Sequence, residues 1–212
     1  MNDEDISLIF ETLSQNNPNP KIELNYTNDF TLLIAIVLSA RTTDVSVNKI
    51  TPKLFAVADN PSSMLQLTED ELKSYINTIG LYNSKANNIM KLCHILLEKH
   101  NEKVPLEFDE LLSLPGVGRK SANVFINVVC NKKVMAVDTH VLRVSNRLGL
   151  TSEINPKKVE MSLLKIIPDK WLHNAHNWLV LHGRYVCKAK NPKCEDCAFT
   201  KICKHYKKVN GT

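Results

Sequence analysis

The stretch Leu114-Pro115-Gly116-Val117-Gly118-Arg119-Lys120 punctuates this chain more sharply than any other. The apolar helix end Glu110-Leu111-Leu112-Ser113-Leu114 runs into it, and Pro115 blocks continuation of that helix. Gly116 and Gly118 open backbone conformations that other residues resist. Lys120-Ser121-Ala122-Asn123-Val124-Phe125-Ile126 then reads as a second helix. Helix, Gly-x-Gly turn, helix is a hairpin with bare backbone N–H groups at a helix N-terminus. Such a terminus suits a phosphate, and a turn without bulky side chains admits a nucleic-acid backbone. Gly116, Val117, Gly118 and Arg119 are therefore candidate contacts to nucleic acid.

Asp138 follows Lys120 by 18 residues, within Ala136-Val137-Asp138-Thr139-His140. It stands just before the apolar-periodic run Val141, Leu142, Val144, Leu148, which predicts a helix N-cap. One helix length and a loop separate the amine from the carboxylate, enough for the chain to fold back and bring them together. Taken singly, Lys120 also reads as a solvent-facing helix lysine and Asp138 as a cap and nothing more.

The rest of the chain predicts helices joined by short links, an all-α protein. Helices are expected over residues 4–15, 29–40, 45–58 and 139–148, and over 156–166 and 172–187. Short helices are expected after Asn60-Pro61 and after Thr68, and a long one to about His100 that Asn83 or Ser84 caps. The segment 29–40 is apolar almost throughout and is expected to be buried on nearly all sides. The only strand candidate is Lys133-Val134-Met135-Ala136-Val137. Hydrophobic residues at 43% suffice for a core. No apolar run approaches a membrane span, and the acidic start Met1-Asn2-Asp3-Glu4-Asp5 lacks a signal-peptide pattern, so a cytoplasmic protein is expected.

Cys187, Cys194, Cys197 and Cys203 form C-x6-C-x2-C-x5-C within 17 residues. In a reducing compartment, four thiols so close together point to a metal centre rather than to disulfides. Zinc and an iron–sulfur cluster are both open, although common zinc sites use two separated Cys-x-x-Cys pairs and this run has one. Cys93 and Cys130 fall on apolar helix faces and read as core filler. Lys188, Lys190, Lys193 and Lys201 lie inside the run, and Lys204, Lys207 and Lys208 follow, against only Glu195 and Asp196. These lysines are either a solvated face or a set of phosphate contacts. A net charge of +5 permits nucleic-acid binding without requiring it.

Leu114-Pro115-Gly116-Val117-Gly118-Arg119-Lys120 with Val137-Asp138-Thr139-His140 resembles the helix-hairpin-helix and Gly/Pro…Asp motif of DNA glycosylases, specifically the endonuclease III family. The lysine at 120 carries that specificity, because adenine-removing relatives generally lack it. The likeness runs from about residue 20 to about 206. It implies two helical domains with the active-site cleft between them. One is residues 22–132, with the hairpin at about 108–127. The other is discontinuous, residues 1–21 with 133–212, and carries a [4Fe–4S] cluster on Cys187, Cys194, Cys197 and Cys203, the cluster loop spanning 187–203.

The resemblance further implies a monomeric base excision repair enzyme, a bifunctional DNA glycosylase and AP lyase. Its substrate would be double-stranded DNA carrying oxidised pyrimidines or abasic sites. Lys120 would be the nucleophile that forms a Schiff base, and Asp138 its partner in catalysis. Arg41 in Leu38-Ser39-Ala40-Arg41-Thr42-Thr43-Asp44 and Leu81 in Ile79-Gly80-Leu81-Tyr82-Asn83 would enter the duplex where the damaged base leaves it. At position 41 the family usually carries glutamine, so Arg41 alters the hydrogen-bonding group available to the orphaned base. Two other readings compete: a glycosylase without lyase activity, which Lys120 opposes, and a non-catalytic iron–sulfur DNA clamp, which the pairing of Lys120 with Asp138 opposes.

Overall fold

The structure, a computed structural model, describes residues 1–211. Among them the chain forms twelve α-helices and no strand, and it divides into two compact units. The first unit comprises residues 1–22 and 131–212, and the second residues 23–130.

The second unit is contiguous. It holds α2 (Asp29–Leu38), α3 (Asp44–Phe55), α4 (Pro61–Leu65), α5 (Glu69–Ile76), α6 (Tyr82–His100), α7 (Phe108–Ser113) and α8 (Arg119–Cys130). Its centre is α2, in which every residue from Phe30 to Leu38 is buried. Asn28 starts that helix with a capping box closed by Thr31. Helices α3, α6 and α8 pack around α2. Each fully buried Leu or Ile there contributes about 1.5–3 kcal/mol through removal of apolar surface from water. The cap of α6 differs from expectation. Neither Asn83 nor Ser84 caps it; the chain enters through Leu81, left-handed at φ 62°, with no side-chain cap.

The first unit joins α1 (Asp3–Asn16) to α9 (Thr139–Leu148), α10 (Pro156–Ile166), α11 (Asp169–Tyr185) and α12 (Lys204–Asn210). Phe10 of α1 lies against Trp171 and Trp178 of α11, with ring centroids 6.1 and 6.5 Å away. The Trp178 indole N–H donates to the Asn17 carbonyl at 2.8 Å, fixing the end of α1. Helices α9 and α11 approach closely at Gly183, where a Cβ would stand 2.9 Å from that of His140.

Residues 133–137 are not a strand. Met135, Ala136 and Val137 are buried in this unit's core, as their apolar pattern requires, but no second strand lies alongside. A side chain satisfies the backbone instead: buried His176 donates from Nδ1 to the Ala136 carbonyl at 2.7 Å. Helix α12 is an element that the lysine-rich tail did not announce.

Candidate active site and cysteine loop

The turn at 114–117 is closed by the Val117 N–H donating to the Leu114 carbonyl at 3.1 Å. Pro115 occupies its second position and Gly116, at φ 81°, its third, the pattern of a type II turn. A Cβ at Gly116 would press within 3.2 Å of Asn88 and Val37, whereas one at Gly118 would meet nothing within 4 Å. Val117 turns inward and is buried, anchoring the turn, while Gly116 and Gly118 are exposed. Helix α8 starts at Arg119, whose guanidinium lies over the Phe108 ring of α7 at 5.0 Å from the centroid. Lys120 is half-buried in the first turn of α8.

In the first unit, Asp138 is the N-cap of α9. Its Oδ1 accepts from the His140 and Val141 N–H groups, each at 2.8 Å. Both bonds fall on one oxygen, so the cap leaves Oδ2 for other work, and the carboxylate is only half-buried. Arg41 and Leu81 are exposed in two loops of the second unit, and both have left-handed backbones, at φ 55° and 62°.

Cys187, Cys194, Cys197 and Cys203 line one cavity, walled further by Leu148, His182, Val186, Pro192 and Tyr206. All four are free thiols and half-buried. Burial pushes the Cys197 thiol up, and burial followed by the neighbouring Cys187 and Cys203 pushes Cys194 up. Among the described residues, no three His, Cys, Asp or Glu side chains converge as ligands of a single ion. Lys188, Lys190 and Lys193 are exposed on this loop.

The loop is tied to α9 by two arginines that the sequence pattern did not single out. Arg147 donates to the Lys188 carbonyl at 2.6 Å and the Ala189 carbonyl at 3.0 Å, with Nη1 3.6 Å from Cys187 Sγ. Arg143 donates to the carbonyls of Cys187 at 3.1 Å and Gly183 at 2.9 Å. Their acceptors are backbone groups some forty residues away, so no residue-type pattern marks the pairing. His182 lies 3.8 Å from Cys197 Sγ, and burial lowers its pKa to about 4, which keeps it neutral.

Residues 34–169 match the model of the HhH-GPD superfamily of base excision DNA repair proteins. Endonuclease III of Rickettsia conorii is 54% identical over 201 residues, covering 95% of this chain and 96% of that protein. Endonuclease III of Escherichia coli K12 is 50% identical over 202 residues, covering 95% of this chain and 96% of that protein. A solved structure of a trapped endonuclease III–DNA covalent intermediate, an estranged-adenine complex, superposes with a TM-score of 0.94 at 42% identity over 99% of both chains.

Proposed function

This chain belongs to the endonuclease III family of the HhH-GPD superfamily, and from that membership we propose how its residues divide the work. It is a base excision repair enzyme, a DNA glycosylase and AP lyase that binds duplex DNA and acts on damaged bases. Oxidised pyrimidines are its substrate class. The observation that carries the assignment of roles is Lys120, a half-buried amine in the first turn of α8, two residues past the open Gly118.

The amine of Lys120 attacks C1′ of the deoxyribose, and the damaged base departs with the electrons of the glycosidic bond. Opening of the sugar ring gives a Schiff base. Loss of a C2′ proton then expels the 3′ phosphate by β-elimination, and water releases the enzyme. Asp138, holding α9 through Oδ1, uses Oδ2 to move protons and to oppose the positive charge that develops on the sugar. The N–H groups around Gly116 and Gly118 and the exposed lysines at 188, 190 and 193 hold the phosphates. Arg41 and Leu81 occupy the space left by the flipped nucleotide. That a covalent DNA intermediate was trapped for a 42% identical endonuclease III supports a nucleophilic mechanism here.

The four cysteines fit a [4Fe–4S] cluster better than a single zinc ion. They line one cavity, and their run holds a single Cys-x-x-Cys pair where common zinc sites use two. Bound there, the cluster would fix the fold of residues 187–203. The same reading makes the protein a cytoplasmic monomer, acting where DNA lies and thiols stay reduced. No helix among the described residues is long and apolar enough to cross a membrane.

Borohydride reduction on duplex DNA with an abasic site tests the assignment. The native chain is expected to become covalently attached, and Lys120→Gln to give no adduct and no base release while binding DNA nearly as well. An adduct of undiminished yield in that variant would make another amine the nucleophile. Asp138→Asn is expected to slow base excision by roughly 10² or more and to slow cleavage of a pre-formed abasic site less. Equal losses on the two substrates would reduce Asp138 to a helix cap.

A further inference from the structure

Lys85 is the one lysine buried almost completely, at 4% exposure, and no carboxylate among the described residues pairs with it. Its Nζ donates to the Leu38 carbonyl at 2.8 Å and to Thr42 Oγ1 at 2.7 Å. Its backbone N–H donates to the Leu81 carbonyl at 3.0 Å. The first acceptor is an end carbonyl of α2, where a cation is favoured. The second adjoins Arg41, in a turn closed by the Thr42 N–H on the Ser39 carbonyl at 3.0 Å. Lys85 therefore links the two loops, its backbone following Leu81 in the first turn of α6 and its side chain reaching the loop that carries Arg41. A left-handed arginine and a left-handed leucine persist only where surrounding contacts over-determine the backbone. A buried ammonium held by neutral oxygens is an expensive way to fill a core, since a methionine would fill the volume without desolvating a charge.

We propose that Lys85 is a positioning residue, a brace that locks the Arg41 and Leu81 loops into one rigid wedge for entry into duplex DNA. The proposal rests on Arg41 and Leu81 entering the duplex. Lys85 itself touches no DNA and no reacting atom. Its contribution is to fix the spacing of two side chains that must fill the same gap at the same moment.

Lys85→Met separates this role from a structural one. The variant is expected to keep or raise its melting temperature, because the buried charge is gone. Excision of an oxidised pyrimidine from duplex DNA is expected to fall by about tenfold or more, the scale of a misplaced group remote from the chemistry. Strand cleavage at an abasic site in single-stranded DNA, which has no stack to enter, is expected to stay within a factor of about two of native. Thr42→Val, which removes one acceptor without touching Lys85, is expected to lose about three- to fivefold on the duplex alone, and it carries the test if Lys85→Met does not fold. Lys85→Met combined with Leu81→Ala is expected to lose no more than Leu81→Ala alone, because the brace acts through the wedge.

Undiminished duplex excision by folded Lys85→Met, equal losses on both substrates, or additive losses in the double variant would each overturn the brace. Leu81→Ala decides whether the underlying reading stands. If Leu81→Ala excises normally from duplex, the wedge fails and the brace with it. If Leu81→Ala is impaired and Lys85→Met is not, the brace alone fails.

Discussion

The hairpin turn at 114–120 and the cysteine loop at 187–203 are both read as grips on DNA backbone, yet they are built on opposite plans. The turn makes its own shape: one backbone hydrogen bond, a proline that pre-sets φ, a glycine that accepts a left-handed conformation, and a buried valine. The loop contains no helix between Tyr185 and Lys204. Short backbone bonds, such as the Lys193 N–H on the Val186 carbonyl and the Cys197 N–H on the Cys194 carbonyl, shape it only in part, and Arg143 and Arg147 on α9 hold it from outside, with four thiols lining a common cavity. Local chemistry alone specifies the first grip, and distant side chains are added to it in the second. The two should therefore break differently.

Cys197→Ser is expected to have the largest effect. Without the full thiol set the loop loses its frame, and residues 188–202 become protease-sensitive while α7 and α8 stay folded. The slope of log affinity for DNA against log salt is expected to shrink by roughly 2–3, as three lysine–phosphate contacts are lost. Limited proteolysis and binding at several salt concentrations measure both. An unchanged slope would leave Lys188, Lys190 and Lys193 a solvated face. Iron analysis of the native protein belongs to the same experiment, and stoichiometric zinc without iron would replace the cluster assignment. Arg147→Met removes two carbonyl contacts but no thiol. It is expected to loosen the same loop by about 1–3 kcal/mol, read as faster hydrogen exchange over 188–190 with iron retained. Loss of iron in that variant would make the arginine, not the thiols, the loop's principal frame.

The turn gives smaller, split effects. Gly116→Ala is expected to destabilise the protein by about 1–3 kcal/mol, since it forces a left-handed alanine against Asn88 and Val37. Gly118→Ala meets open space and is expected to leave stability within about 0.5 kcal/mol while weakening DNA binding. Thermal melts set against binding constants separate the two glycines, and identical behaviour would remove the distinction between a folding glycine and a contact glycine. Smallest of all is the effect of Arg41→Gln, which alters neither grip. Arginine can pair bidentately with guanine and cannot accept a hydrogen bond, whereas glutamine can. Excision opposite each of the four bases is expected to lean toward guanine in the native chain and to lose that lean in the variant. A uniform drop at all four would mean that Arg41 meets a phosphate.

The same contrast governs what the sequence displays. The all-helical fold was legible because its signals are local: the apolar run from Phe30 to Leu38, Thr68 ahead of an acidic first turn, Asp138 ahead of Val141 and Val144. The hairpin was legible for that reason too. Misreadings arose where tertiary partners decide. Residues 133–137 have the apolar content of a strand, but His176 takes the place of a neighbouring strand. Asn83 and Ser84 are good capping residues, but a left-handed Leu81 starts α6 before them. Arg143, Arg147 and Lys85 look like ordinary helix residues, because a bond to a distant carbonyl leaves no trace in spacing or composition.

Helix α1 packs through Phe10 on Trp171 and Trp178, and its own unit resumes only at residue 131. A chain emerging from the ribosome therefore offers α1 its partner last. The contiguous unit 23–130 is complete in sequence while α11 is still untranslated, so it can fold first. Meanwhile Ile6, Ile9 and Phe10 stay uncovered for the synthesis of roughly 150 further residues, which lasts about ten seconds or more at 5–20 residues per second. During that interval the N-terminal segment is an apolar amphipathic peptide on a tether, exposed to chaperones and to aggregation. Ile6, the first of the three to emerge, waits longest, and Ile9 and Phe10, both fully buried in the finished fold, wait nearly as long.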